Sequence, residues 1–240
     1  MNVARMLSVL GIIGFSVPLS GCDSSSDDTG AGGAAGSGGS VRSPLIDDME
    51  DGDNEILLSG GRIGYWFIAN DETPAGTQLP AAADMPMTAI DPPREGSSFG
   101  ANSSGSGFTE WGAEFGFDLN NASGEAGAYD ASTYTGIRFF ARVGPGSVPN
   151  VRVNVADVHT VPQGGFCNEA ANECYDHFGS TLLLGQDWQP IELAFADLTQ
   201  EDFGTPAPEG LQRDQLYGIY FGLEANVTFD VWIDDVSFVE

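Results

Sequence analysis

A chain of 240 residues with 35 acidic and eight basic side chains, every base an arginine, carries a formal charge of −27. Such a surface repels phosphate backbones and argues against nucleic acid as a partner, while neutral ligands and cations suit it. Past residue 44 the balance is 32 acids to six arginines, over a length that builds one sizeable domain.

Residues 1–21 read as a lipoprotein signal peptide. Arg5 supplies the positive start, and Met6–Leu19 is apolar but shorter than the roughly 20 residues that span a bilayer. The segment ends LSGC, small residues before Cys22, which is a bacterial lipobox with Cys22 as the lipidated residue. An ordinary secretory signal is the competing reading. From residue 22 to 44 the chain is Gly, Ser, Ala and Asp with little to bury, and reads as a flexible tether. The expectation is a lipid-anchored protein of the cell envelope, its domain in the periplasm or at the cell surface. Membrane contact then belongs to the lipid on Cys22 alone.

The folded part, 45–240, opens on LIDDMEDGDN, with six acids between Asp47 and Glu55. Further along, apolar residues alternate with polar ones. Ile137, Phe139, Ala141 and Val143 share one face against Arg138, Phe140 and Arg142. Val151, Val153 and Val155 oppose Arg152 and Asn154. Ile191, Leu193 and Phe195 follow Trp188, Ile219, Phe221 and Leu223 oppose Tyr220, and Phe229, Val231 and Ile233 oppose Asp230, Trp232 and Asp234. Period-two strands separated by Gly-rich turns, with no long helical period, predict an all-β antiparallel sandwich. Alternation turns Tyr220 and Trp232 away from the core. Tyr220, between Gly218 and Gly222, is expected to present an uncovered ring. Arg138, Arg142, Arg152 and Asn154 are candidates for polar contacts if their strands share a sheet.

Three cysteines are present. With Cys22 set aside for lipid, Cys167 and Cys174 are left in an exported chain, and a disulfide between them is expected. Zinc is the weaker reading, since His159 and His177 are the only imidazoles.

The acidic opening LIDDMEDG, the strand GYWF, then GIRFFARV, the segment from Trp188 to Leu198 and the closing FDVWIDDVSF together resemble the galactose-binding-like jelly roll. More narrowly, they are similar to the family 11 carbohydrate-binding modules. The resemblance implies a jelly-roll sandwich whose first and last strands lie side by side. It also implies a structural Ca²⁺ between the two acidic ends, held by Asp48, Glu50 and Asp234, with Asp235 as the alternative to Asp234. Carboxylate oxygens without nitrogen or sulfur donors suit that ion. Tyr65 and Trp66 fall where such modules carry a ligand aromatic, and Trp111 sits likewise. Just before YDHF (175–178), Cys174 stands where the family has a sugar-reading acid, so Asp176 is the replacement candidate and the family's β-glucan ligand is put in question. The expected ligand contacts are therefore Tyr65, Trp66, Trp111, Arg152, Asp176, Tyr220 and Trp232. The expected function is non-catalytic binding of a neutral poly- or oligosaccharide. An adhesin or assembly module that binds protein, and a polysaccharide hydrolase or lyase, are the alternatives. No GxSxG, HExxH or phosphate-loop motif points to catalysis.

Overall fold

A computed structural model of the chain describes residues 43–240 except 82–84 and 123. The signal peptide, Cys22 and the tether to residue 42 lie outside the described residues. Within them the chain is nearly all β, arranged as two antiparallel sheets, with short 3₁₀ turns and no α-helix.

The strands are β1 (Leu45–Asp47), β2 (Trp66–Asn70), β3 (Thr77–Leu79), β4 (Thr88–Arg94), β5 (Ser97–Ser106) and β6 (Ala113–Asp118). They continue as β7 (Gly136–Val143), β8 (Asn150–Asp157), β9 (Phe178–Leu183), β10 (Gln189–Ala194), β11 (Leu216–Leu223) and β12 (Thr228–Val239). The first sheet runs β10-β7-β12-β5-β3, with β1 on β12 and β4 on β5; the second runs β2-β6-β11-β8-β9. Successive strands cross between the sheets, as from β6 to β7 and from β11 to β12. The predicted pairing of first and last strands is present: β1 lies antiparallel to β12, with Leu45 opposite Ser237.

The alternating apolar sets fill the space between the sheets. Ile137, Phe139 and Ala141 from β7, Val151, Val153 and Val155 from β8, Ile219 and Phe221 from β11, and Phe229, Val231 and Ile233 from β12 are all buried. Each Val, Ile or Phe of this set contributes about 1.5–3 kcal/mol when fully removed from water. Trp66 lies at the centre, 0% exposed, its ring parallel to Phe221 with centroids 6.3 Å apart. Its indole N–H donates to Asp47 Oδ2 at 2.7 Å, which fastens β1 to the core. Arg62, also buried, donates to the carbonyls of Ser43 and Leu45 and secures the same segment.

Candidate functional site

The outer face of the second sheet is ordered by its register. Across one row stand Phe67, Gly116, Tyr220, Asn154 and Gly179; in the next stand Ala69, Glu114, Gly222, Arg152 and Thr181. The glycines make the floor. A β-carbon on Gly218 would meet the Tyr220 ring at 2.5 Å, and one on Gly116 would meet its Cδ1 at 3.0 Å. The ring therefore lies down over the sheet and is 7% exposed, where the sequence suggested an uncovered platform. Its hydroxyl donates to Asp118 Oδ1 at 3.1 Å. Burial, then the neighbouring Asp118 carboxylate, push the phenol well above its ordinary range.

Asn154 and Arg152 lie low in the same way. A β-carbon on Gly179 would stand 2.7 Å from Asn154 Oδ1 and 3.1 Å from Arg152 Cζ. Arg152 is held by the Thr199 carbonyl at 2.8 Å and by Glu201 at 3.4 Å. The Asn154 amide is half-buried and makes no side-chain hydrogen bond among the described residues. An arc of rings borders this floor: Phe67 is 5.5 Å from Tyr220, Tyr220 is 5.4 Å from His177, and His177 is 6.1 Å from Tyr175. Tyr175 is the exposed member of the arc.

The wall beside Tyr175 is built by two devices. Cys167 and Cys174 form the expected disulfide. Tyr175 follows it with φ 74°, its amide donating to the Thr160 carbonyl and its hydroxyl to Glu169 inside the disulfide loop. Asp176, 2% exposed, is turned inward, and its carboxylate accepts the backbone N–H groups of Glu201, Phe203 and Gly204. It is thus a brace for the 201–204 loop and offers a ligand nothing directly. His177 Nδ1 lies 2.8 Å from Thr160 Oγ1, and burial pushes this imidazole down to about 4, so it is neutral at ordinary pH.

The other sequence-named residues separate. Trp66 is enclosed between the sheets, because Trp66 and Ile68 take the inward parity of β2, leaving Phe67 outside; it cannot touch a ligand on either face. Tyr65 and Trp111 are exposed but flank opposite ends of β6, on the order of 20 Å apart along the strand. Asp71 shapes the turn around Trp111 by accepting the N–H groups of Glu110 and Gly112; burial pushes its carboxyl up, but the Thr73 hydroxyl and the N–H groups of Gly112, Glu110 and Thr73 together outweigh this and hold it at about 2. Trp232 lies on the outer face of the first sheet, with Arg138 and Arg142 and away from Tyr220. There the Arg142 guanidinium sits 4.8 Å from the Trp232 ring centre and 5.1 Å from that of Trp188. A groove of about 430 Å³ beside it is lined by Arg138, Phe140, Pro190, Glu192, Asp235 and Ser237.

The acids expected to hold calcium do meet, since Glu50 and Asp234 both approach the turn between β4 and β5. Glu50 Oε1 is occupied by the Ser97 hydroxyl and the N–H groups of Ser98 and Phe99, and Asp234 Oδ2 by Arg94. Asp48 accepts the Glu50 N–H. One buried oxygen of this group, Asp234 Oδ1, has no hydrogen-bond partner. Calcium takes six to eight oxygens. Among the described residues no three His, Cys, Asp or Glu side chains converge as a metal cage, and a guanidinium already stands on Asp234, so the side-chain donors fit that ion poorly.

No protein-family model matches the chain, and no curated protein matches it. Among solved structures the chain is similar to the family 11 carbohydrate-binding module from Clostridium thermocellum in complex with a β-1,3-1,4-mixed-linked tetrasaccharide. That match is 16% identical, with a TM-score of 0.52 over 82% of this chain and 94% of that one. A solution structure of CtCBM11 is 15% identical, with a TM-score of 0.51 over 84% and 97% of the two chains. The family 11 module of the cellulosomal cellulase Lic26A-Cel5E of Clostridium thermocellum is 14% identical, with a TM-score of 0.50 over 82% and 94%. At these identities the likeness is one of fold.

Proposed function

We propose that this chain is a non-catalytic carbohydrate-binding module, tethered to the cell envelope through lipid on Cys22, that binds a neutral poly- or oligosaccharide on the outer face of its second sheet. The observation that carries the reading is the amide of Asn154, unbonded and lying on a glycine floor between Arg152 and Tyr220. A flat floor with an unengaged amide and bordering rings suits a pyranose, whose apolar face stacks on aromatics while its hydroxyls are read by amide and guanidinium groups. The fold likeness to modules of which one is bound to a tetrasaccharide supports the ligand class. The non-catalytic part rests on the acids in and around the floor being engaged: Glu201 pairs with Arg152, and Glu114 is likewise not free. Asp118 accepts from Tyr220 and Asn121, and Asp176 from three backbone N–H groups. Glycoside hydrolysis needs two carboxyl groups facing one cleft, one of them free to give up a proton.

The test is binding of the purified protein to an array of neutral glycans that includes β-1,3-1,4-mixed-linked glucan, followed by titration of the strongest one. Binding that Asn154→Ala abolishes, with melting unchanged, is the expected result. Capture of no glycan would count against the reading, as would release of reducing ends from the bound polymer. The lipid is tested separately: Cys22→Ala should release the protein from the membrane fraction.

A further inference from the structure

The two acidic ends of the sequence approach one turn of the fold, and a guanidinium of that turn binds the acids of the last strand. Arg94 closes β4 and pairs with Ser97 across the turn to β5. Its Nε donates to Asp234 Oδ2 at 2.9 Å, and its Nη2 donates to the Asp235 carboxylate. Its Cζ lies 4.0 Å from the centre of the Phe140 ring, which roofs the other side. Neighbouring side chains of a strand ordinarily point to opposite faces. Here Asp235 has φ 50° and the β12–β7 register shifts between Asp234 and Ser237, so the bulge brings two consecutive carboxylates to one guanidinium. At the other end of the turn, Glu50 takes the Ser97 hydroxyl and the N–H groups of Ser98 and Phe99. One four-residue turn thus grips the opening segment with its Ser97 side and the last strand with its Arg94 side.

We propose that Arg94 takes the place that a bound divalent cation would take among these acids, so that the sandwich is closed at this junction by a residue of the chain and does not depend on calcium. The chemistry favours arginine for the task. Its planar fork reaches two carboxylates at once, stays charged at every ordinary pH and stacks on an aromatic face, none of which a lysine does as well. A divalent ion placed here would find Asp234 Oδ2 held by Arg94 and Glu50 Oε1 held by three donors, with Asp234 Oδ1 the one buried oxygen of the group left unengaged. It would also sit beside a fixed positive charge.

The experiment is thermal unfolding of the purified full chain in chelator and in millimolar calcium, wild type beside Arg94→Gln and Arg94→Lys, with elemental analysis of the protein as purified. The wild type is expected to melt at the same temperature in both buffers and to carry no stoichiometric calcium. Arg94→Gln should melt lower by about 5–10 °C, with Arg94→Lys between the two. A calcium-dependent rise of several degrees in the wild type would overturn the proposal, as would an Arg94→Gln protein that melts like the wild type. Should Arg94→Gln fail to fold, Asp235→Asn carries the test, because its carboxylate is partly exposed. A lower midpoint in both buffers supports the clasp, and an unchanged one refutes it.

Discussion

Tyr220 rests on Gly218: a β-carbon at Gly218 would stand 2.4 Å from the phenolic oxygen and 2.5 Å from the ring. The glycine that flanks an aromatic on a strand face is therefore the bed on which the ring lies. Gly218→Ala should lift the ring, break its bond to Asp118 and destabilise the domain by about 1–3 kcal/mol, as overpacking does. Chemical denaturation should report the loss.

Gly222 separates binding from folding. A β-carbon there would meet Asn154 Nδ2 at 3.4 Å and nothing closer, with ordinary backbone angles. Gly222→Ala should leave the melting temperature within about a degree, since surface changes stay within about 0.5 kcal/mol. The new methyl crowds the floor beside the Asn154 amide, so glycan affinity should fall several-fold in a titration. An unchanged affinity would move the site elsewhere.

Trp66→Phe should affect stability alone. The indole N–H is one of the two donors to the Asp47 carboxylate, the Met49 N–H being the other. Removing it leaves a buried acceptor short of a partner at a cost of about 1–3 kcal/mol. Glycan affinity of the folded variant should match the wild type, because the ring lies between the sheets.

Two buried groups pull the pH dependence of stability in opposite directions. Burial raises Asp47 to about 7 against the two N–H donors, so between about 4 and 7 the folded state binds the extra proton and stability falls as pH rises. Burial lowers His177 to about 4 from 6.5, so between those values the unfolded state binds the extra proton and stability falls as pH drops. Each amounts to on the order of 3 kcal/mol over its window. The wild type, in which burial also raises Asp118, Asp157 and Asp234, should follow a slope between those of Asp47→Asn and His177→Gln from pH 4 to 6.5. Asp47→Asn should gain a steep rise with pH across that range, and His177→Gln a steep fall. Denaturation midpoints across the range would show the two slopes diverging.

The disulfide should matter twice. Closing so short a loop stabilises by about 2–3 kcal/mol in the chain-entropy view. Cys167→Ser with Cys174→Ser should lower stability by that amount. It should also weaken glycan binding, because Tyr175 borders the floor from its place next to Cys174. Binding that survives loss of the bridge would mean that Tyr175 keeps its place without it.

Much of this molecule follows from the order of its residues. Period-two alternation determined which side chains fill the core of β7, β8, β11 and β12, because a strand's geometry admits only two faces. Cys167 and Cys174, the two cysteines of the folded part, are the pair expected to bond, and the resemblance to a jelly roll implies that first and last strands meet. What alternation leaves open is which sheet a strand joins. Trp232 and Tyr220 both have outward parity, yet β12 and β11 lie in different sheets, so the two rings occupy opposite sides of the protein. Within β2 the resemblance places Trp66 at the ligand; alternation in so short a strand leaves Trp66 and Phe67 equally eligible, and the core claims the larger ring. Only the tertiary structure could put Gly116 and Gly179, from strands remote in sequence, beneath Tyr220 and Asn154, or bring Arg94 to Asp234 across 140 residues. Such contacts are set by the pairing of distant strands, and no local pattern of residues encodes the partner.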